Sequence, residues 1–435
     1  MDEEQVGHPL MYHLANTVAY SRHPLLRRRY QLLGGLLFAI GLPLLVRMGF
    51  NPNVVFSSNH QVTIVAAMIA HLMGYLLYRR FDTLPGMAAL SNILPTFAFT
   101  YGVVFLTIFF FRLDYSRFQA FGSFFMSISW YFGINVFVRR RDLYRLAIVP
   151  GGDASRLRSV KGVAWQTISS PTAIVGPVQG VVADLRADLS DPWDRFITNC
   201  VLTGTPVYHV KQVLESLTGR VEIKHLSENT LGSLNPNQIY LKAKQLVDWM
   251  AALVVLLGVS PLFLLVAIAV RLDSPGTIFF RQQRIGYRGQ SFMVFKFRTM
   301  RSDSVRLDDK ESAITRAKDP RITRVGNFLR RSRIDELPQL INVLRGEMSW
   351  IGPRPEAAVL AKWYDAELPF YPYRHIVRPG ITGWAQVNQG HVAAVDEVLE
   401  KLHYDFYYIK NISPWLDLVI IMRTIRIVLT GFGAK

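Results

Sequence analysis

Trp249–Val270 reads WMAALVVLLGVSPLFLLVAIAV, and how this stretch is read decides where everything after it lies. It is apolar throughout and long enough for the ~20 residues that a bilayer crossing needs. Ser260-Pro261 falls near its midpoint. Proline removes a helix hydrogen bond and collides with the preceding turn, so a kink or break is expected there. The serine hydroxyl can satisfy a backbone group freed at the bend. Lys242 and Lys244 precede the stretch, and Arg271, Arg281 and Arg284 follow it. Cations at both ends suit a helix that enters the cytoplasmic leaflet, bends at Pro261 and leaves on the same side. A kinked true crossing suits the segment alone at least as well, and it would put all later residues outside the cell.

Working outward, four further apolar stretches fill the first third: Leu32–Met48, Val62–Tyr78, Met87–Phe111 and Phe121–Val138. Polar faces that would mark them as soluble amphipathic helices are largely missing, so a four-span bundle is expected. Arg27–Arg29, Arg79-Arg80 and Arg139–Arg141 all fall on one side of such a bundle, and basic loops mark the cytoplasmic side. His71 is the one ionisable group deep in a span, a weak hint of ion or proton movement. The opening MDEEQVGHPLMYH is acidic and polar, unlike a cleavable signal peptide.

Composition agrees. Of 435 residues, 50% are hydrophobic and only 19% charged, which disfavours a purely soluble or disordered chain. Lys and Arg outnumber acids 49 to 32, an excess that suits nucleic acid, anionic lipid or phosphorylated substrates. The single cysteine, Cys200, cannot form an intrachain disulfide and reads as a small buried residue.

From Tyr144 to about Tyr240 the pattern is that of a soluble α/β domain. LAIVP, VVADL and TPVYHV read as buried strands, and Trp193–Leu202 and Val210–Leu217 as helices. Pro150-Gly151-Gly152 lacks the G-x-G-x-x-G spacing and a P-loop lysine, so a turn that binds nothing is the plainer reading. A spacer, dimerisation or regulatory module is expected.

The candidate chemistry lies further on. Gly276–Met300 reads as paired strands turning at Gly286–Gly289. Lys296 and Arg298 share one face of the second strand, where solvent or a phosphate would separate their charges. Arg316, Arg321, Arg324, Arg330, Arg331 and Arg333 then run into Asp335-Glu336-Leu337-Pro338. Pro338 suits a helix's first turn, which puts both carboxylates at its N-terminus. Plain N-capping by Asp335 explains the acid but not the crowd of guanidiniums. Such surroundings favour an ionised carboxylate and an incoming phosphate, and a carboxylate is the group that attacks phosphorus in aspartyl-phosphate chemistry. Its neighbour could hold Mg²⁺, which takes oxygen ligands. Arg354, between Pro353 and Pro355, is a conformationally restricted guanidinium, and the loop Arg378–Trp384 leads into Ala385-Gln386-Val387-Asn388. Glycines in these loops would let backbone approach a ligand, and Gln or Asn could read a base or sugar edge. No zinc or serine-esterase motif occurs. Near the C-terminus, the aromatics Tyr404–Tyr408 and Trp415 with Arg423 and Arg426 suit an interfacial helix touching lipid, base stacking being the competing reading.

Lys296–Met300, Arg330 with Asp335–Gln339, Trp350–Glu356 and Pro379–Val387 together resemble the bacterial sugar transferase family, the monotopic phosphoglycosyl transferases. The likeness covers roughly Leu241 to the C-terminus, and the four spans with an α/β module resemble the family's large members. It implies a membrane α+β architecture: a four-helix transmembrane domain (1–143), a Rossmann-like α/β domain (144–240) and a mixed α/β catalytic domain (241–435). A re-entrant helix at about 247–271, broken at Ser260-Pro261, belongs to the last of these. The implied reaction moves a sugar-1-phosphate from a UDP-sugar, UDP-glucose by preference, to undecaprenyl phosphate on the cytoplasmic face of the bacterial inner membrane. It primes exopolysaccharide, capsule or O-antigen synthesis. By the same resemblance Asp335 is the nucleophile that forms a covalent phosphosugar intermediate, and Glu336 the Mg²⁺ ligand. Lys296, Arg298, Arg330 and Arg354 would hold phosphate charge, with Thr382 and Gln386 also on the substrate. Direct transfer in a ternary complex, and a nucleotide-sugar-binding scaffold without turnover, are the alternatives. Membrane lipid and a second copy of the chain are expected partners; nucleic acid is not. Where some members follow the AQVN run with Gly-Arg, this chain has Gln389-Gly390-His391, so no nucleobase contact can be carried over to that position.

Overall fold

A computed structural model describes residues 25, 27–50, 57–81, 89–134, 144–171, 178–223, 236, 238–301, 319–389 and 395–430. By internal contacts the chain divides into Met1–Gly219 and Arg220–Lys435. Within the second unit Val221 N donates to His403 O and Arg220 lies 3.2 Å from Glu400.

The first unit opens on helices α1 (Arg28–Leu36) and α2 (Leu42–Phe50), joined by a π-helical segment, Leu37–Gly41. Helices α3 (Ser58–Phe81), α4 (Ala89–Phe110) and α5 (Arg117–Gly133) follow. Their burial is inverted relative to a soluble bundle. Leu106, Phe109 and Phe110 are exposed, whereas Gln119, Ser123 and Ser127 are buried. The buried polar groups satisfy one another: His71 Nδ1 and Tyr101 OH each lie 2.9 Å from Ser127 Oγ, and Gln119 Nε2 donates to Ile40 O. That pattern fits a hydrocarbon solvent, which cannot satisfy polar side chains. Among the described residues, four helical stretches are long and apolar enough to cross: Arg29–Phe50, Ser58–Arg79, Ile93–Phe110 and Gln238–Asp273. The fourth stretch expected in the first third forms α5, which at 17 residues is shorter; residues 135–138 of that expected span, and Arg139–Arg141, lie outside the described residues.

The same unit contains β1 (Tyr144–Ile148), β2 (Val163–Thr167), β3 (Gly180–Ala183) and β4 (Val207–His209), a parallel sheet in the order β2-β1-β3-β4. Helices α6 (Asp191–Leu202) and α7 (Val210–Thr218) accompany it. Cys200 is fully buried with Phe196 and Val181, and burial pushes its thiol up to about 11, so it is a packing residue. Asp184, just past β3, accepts from the Asp153 N–H at the Pro150–Gly152 loop, which places a carboxylate where a phosphate-binding loop would seat its ligand.

In the second unit, α8 (Gln238–Asp273) runs as continuous helix through Pro261, and Ser260 Oγ donates to Leu257 O at 2.8 Å. At 1.5 Å per residue its 36 residues span about 54 Å, well beyond a ~30 Å hydrocarbon core. The hairpin β5 (Phe279–Ile285) and β6 (Ser291–Phe297) lies beside it, Phe280 opposite Lys296. Next come α9 (Arg324–Arg331), a 3₁₀ turn at Ile334–Glu336, α10 (Gln339–Leu344), β7 (Ser349–Ile351) and α11 (Ala358–Glu367). After a 3₁₀ turn at Tyr371–Ile376, β8 (Gly380–Thr382) pairs parallel with β7, and α12 (Trp384–Asn388), α13 (Val395–Lys410) and α14 (Pro414–Thr430) complete the unit.

Both halves of α8 pack on this unit. Ala252 and Val259 share a cluster with Val294, Leu340 and Val343, while Phe263, Val266 and Val270 share one with Phe297, Leu329 and Leu337. Val294 and Phe297 sit on one strand, so β6 reaches helix residues on either side of Pro261. On the rest of the helix Val254, Leu257, Leu264, Leu265 and Leu272 stay exposed. Of the aromatics expected to face lipid, Tyr404, Phe406, Tyr407 and Tyr408 are buried, and the Trp415 side chain lies outside the described residues; only Ile421, Ile425 and Val428 of α14 expose large apolar side chains among its described residues.

Candidate active site

Asp335 and Glu336 sit in the 3₁₀ turn that links α9 to α10, just ahead of the short helix rather than at the start of a long one. Arg333, in the left-handed region at φ 59°, reverses the chain into that turn. Ile334 and Leu337 then pack against Val266 and Val270 of α8, so the acidic pair is fixed to the membrane-type helix by apolar contact. Both carboxylates are buried.

Their partners differ. Glu336 Oε1 accepts from Lys296 Nζ at 2.9 Å and from Arg354 Nη2 at 2.8 Å, with Arg333 at 3.9 Å. Burial alone would push its carboxyl up, but Arg354 and Lys296 hold it well below the usual carboxylate range. Asp335 Oδ1 is buried with no hydrogen-bond partner. Burial raises the Asp335 carboxyl above its ordinary value and the Glu336 charge adds to this, outweighing Lys296, Arg330 and Arg354. A helix terminus and arginines were expected to favour its ionised form. The cations are present, but they close on its neighbour. Burial likewise pushes the Lys296 ammonium down to about 8 although Glu336 pulls the other way.

Backbone contacts deliver each cation. Carbonyls of Pro353, Arg354 and Pro355 accept in turn from Gly380 N (2.9 Å), Arg374 Nη2 (2.8 Å) and Arg284 Nη1 (2.5 Å), so the Arg354 main chain is held at three successive points. Arg374 is itself buried and lies 2.8 Å from Asp405 and 3.8 Å from Glu356, which also pairs with Lys401. Arg330 donates from Nε to Thr299 Oγ1 at 2.8 Å and acts on Asp335 through its charge. The approach needs Gly326, where an added Cβ would lie 2.2 Å from Thr299 O. Of the other arginines in that run, Arg321 pairs with Asp319, Arg324 and Arg331 are exposed, and Arg316 lies outside the described residues.

Three residues expected on substrate are engaged elsewhere. Arg298 donates to the carbonyls of Val270, Ser274 and Pro275, closing the C-terminal end of α8, and is not among the cations acting on the acidic pair. Although it shares a strand face with Lys296, two further residues carry it past the site to the helix end. Thr382 Oγ1 lies 2.8 Å from Thr424 Oγ1, and Gln386 Nε2 donates to Ile381 O, although Gln386 Oε1 is buried without a partner. The loop glycines approach each other rather than leaving room for a ligand: a Cβ on Gly380 would lie 2.1 Å from Gly352 N. The sequence reading missed Arg284, Arg374, Lys401 and Asp405 as parts of the site. They are scattered through the chain and carry no local motif.

Among the described residues no three His, Cys, Asp or Glu side chains gather into a metal cage. The donor chemistry does fit Mg²⁺ shared with substrate, because Mg²⁺ commonly takes one or two carboxylates and completes its shell with phosphate oxygens and water. The unpartnered Asp335 Oδ1 and the adjoining Glu336 are the hard oxygens available.

Comparisons with known proteins converge on the same region. The bacterial sugar transferase family matches residues 239–431. A UDP-N-acetylgalactosamine-undecaprenyl-phosphate N-acetylgalactosaminephosphotransferase of Aeromonas hydrophila is 42% identical over 402 residues, covering 92% of this chain and 94% of that protein. UDP-glucose:undecaprenyl-phosphate glucose-1-phosphate transferases of Xanthomonas campestris pv. campestris and Escherichia coli (strain K12) are 45% and 41% identical, over 44% and 49% of this chain and 40% and 44% of their own lengths. The chain therefore belongs to the bacterial sugar transferase family and is a phosphoglycosyl transferase.

Proposed function

We propose that the protein transfers a sugar-1-phosphate from a UDP-sugar to undecaprenyl phosphate, through a covalent intermediate on Asp335, at the cytoplasmic face of the bacterial inner membrane. The observation that carries this reading is the unequal treatment of two adjacent carboxylates. Glu336 Oε1 is held by Lys296 and Arg354, whereas Asp335 keeps an unpartnered oxygen and a raised pKa. Environments that push two carboxyls apart assign them different roles. Ionised Asp335 attacks the sugar-bearing phosphorus. A carboxylate oxygen–phosphorus bond forms, the bond to the bridging diphosphate oxygen breaks, and UMP leaves with the electron pair. An oxygen of the lipid phosphate then attacks the same phosphorus and releases the Asp335 carboxylate. Lys296, Arg354 and Arg330 balance charge that builds on the phosphoryl oxygens, as fixed cations do in phosphoryl transfer. When bound, Mg²⁺ held by Glu336 and the diphosphate would draw charge from the leaving group.

The lipid acceptor requires the site to stand at headgroup level. Basic residues at both ends of α8, Lys242 and Lys244 near its start and Arg271 near its end, support a helix whose two ends lie on one face of the membrane, although the helix is continuous through Pro261, where a break was expected. The basic segments Arg27–Arg29 and Arg79-Arg80 support the cytoplasmic face. For the sugar, the glucose preference yields to N-acetylgalactosamine: the Aeromonas relative carries that sugar in its name and matches this chain almost end to end, while the two glucose relatives match over half or less.

The decisive experiment incubates purified protein with UDP-N-acetylgalactosamine, UDP-glucose or UDP-galactose without acceptor, and measures UMP and the mass of the Asp335 peptide. A stoichiometric UMP burst with a sugar-phosphate adduct on that peptide is expected. UMP that appears only after undecaprenyl phosphate is added would replace the covalent route by direct transfer.

A further inference from the structure

Beside the C-terminal end of α8 lies a cavity of about 530 Å³ lined by Arg271, Gly276, Thr277, Ile278, Phe279 and Arg281. None of these residues joins the Lys296–Arg354–Glu336 constellation. Among the described residues neither arginine forms an ion pair. Arg271 donates to Gly276 O, Arg281 lies 5.4 Å from the centre of the Phe295 ring, and both are exposed. The nearest acid in the chain, Asp273, accepts from Val325 N at the start of α9. Beside the cavity, Arg298 holds the carbonyls of Val270, Ser274 and Pro275, residues that adjoin Arg271 and Gly276 in the chain. Two guanidiniums without an ion-pair partner among the described residues, around a cavity of this size, match a phosphate, which arginine binds with two parallel hydrogen bonds.

What adjoins the cavity narrows the ligand. Leu264, Ile268 and Leu272 recur every four residues, hence on one face of α8, and are exposed by 65%, 49% and 82%. This apolar face ends where Arg271 begins the cavity. Cations that close an apolar helix face fit the junction between acyl chains and headgroups.

We infer that the Arg271–Arg281 cavity binds the phosphate headgroup of a membrane lipid whose chain lies along Leu264, Ile268 and Leu272, separately from the site of phosphoryl transfer. The ligand class is a lipid-linked phosphate, drawn either from anionic phospholipid or from polyprenyl phosphate.

The test uses the full chain in a neutral detergent and counts bound lipids by native mass spectrometry. Phosphatidylglycerol, undecaprenyl phosphate and inorganic phosphate are titrated separately against wild type, R271Q/R281Q and R271K/R281K. Binding of one or both lipids should weaken roughly tenfold in the Gln variant, the loss expected when charge-assisted hydrogen bonds go, and weaken less in the Lys variant, which keeps the charge but not the paired hydrogen bonds. Burst release of UMP from UDP-sugar without acceptor, which does not involve this cavity, should match wild type in both variants and so reports that the protein is folded. Loss confined to phosphatidylglycerol identifies the bilayer as the source, and loss confined to undecaprenyl phosphate identifies polyprenyl phosphate as the source. Equal lipid binding in wild type and R271Q/R281Q, or an effect on inorganic phosphate alone, would overturn the inference.

Discussion

Raising the pH should switch the enzyme off near pH 8 without unfolding it, because Lys296 is the weak member of the site. Burial, seconded by the charges of Arg354 and Arg284, brings its pKa from 10.5 to about 8 although Glu336 stands 2.9 Å away. At pH 9 about one tenth of Lys296 remains charged, so UMP release should fall about tenfold between pH 7 and 9 if that charge supports the transition state. The effect on stability has the opposite sign. Between about 8 and 10.5 the unfolded chain keeps a proton that the folded chain has lost, so this residue's contribution to folding grows as pH rises, by on the order of 3 kcal/mol across the window. Activity and stability should therefore diverge. The assay pairs initial rates of UMP formation with thermal melts at each pH, for wild type and Lys296→Met. The wild-type melting temperature should rise relative to the variant above pH 8, while the wild-type rate declines. A rate that holds to pH 10, or a decline that tracks a falling melting temperature, would refute the reasoning.

Other outcomes follow from single contacts. On the acid side, Asp335 must be ionised to attack, and its raised pKa means that the rate should begin to fall at a pH above its ordinary value of 3.8; Arg354→Ala removes a cation that opposes this and should move the acid limb higher, read from rates of UMP burst against pH. Arg298→Ala should lower the melting temperature, since three carbonyls at the end of α8 lose their donor, yet leave UMP release per folded molecule close to wild type, in contrast with Lys296→Met. Asp405→Ala takes from the buried Arg374, which holds the Arg354 carbonyl, its nearest counter-charge and leaves Glu356 at 3.8 Å, so it should cost about 2–3 kcal/mol, below the roughly 3–5 kcal/mol of a fully unpaired buried charge, measured by chemical denaturation in detergent. Gly326→Ala forces a Cβ to within 2.2 Å of Thr299 O, so the Arg330–Thr299 contact should open and turnover should drop while the protein stays in the membrane, as checked by fractionation.

Local pattern made much of this legible. Apolar runs marked the helices of the first unit, and the hairpin turn at Gly286–Gly289 and the acidic pair at 335–336 stood out against their neighbours. What failed did so where a residue's fate depends on distant chain. β2, VAWQT, has neither a continuous apolar run nor a clear alternation, because it is an edge strand and only partly buried. Tyr404–Tyr408 read as interfacial aromatics because their sequence cannot reveal that Trp384 and Ile351 come to meet them; Tyr407 stacks on Trp384, and Tyr408 donates to Ile351 O. Lys296 and Arg298 are equivalent by strand parity, and only the end of α8 separates them, since it falls opposite the second and not the first.

The fixed partners of Glu336 also explain why the chemistry needs two carboxylates in sequence rather than one. A lone buried carboxylate among Lys296, Arg330, Arg333 and Arg354 would be drawn into an ion pair, and a carboxylate so engaged is a poor nucleophile because its lone pairs are already donated. Glu336 takes that role through Oε1, which leaves Asp335 buried, with an unpartnered oxygen and more basic than an ordinary aspartate. The negative charge of Glu336 raises the Asp335 pKa beyond what burial does, so the residue that collects the cations also sharpens the one that attacks. The arrangement sits on a turn whose Ile334 and Leu337 join the apolar cluster that includes Val266 and Val270 of α8. Glu336→Gln should therefore harm the first half-reaction through Asp335 as well as through the cations. With its counter-charge gone, Lys296 would titrate below about 8, and Arg354 and Lys296 would be free to close on Asp335. The UMP burst should slow at neutral pH while the Asp335 acid limb moves downward. An unchanged acid limb in Glu336→Gln would mean that the two carboxyls are not coupled in this way.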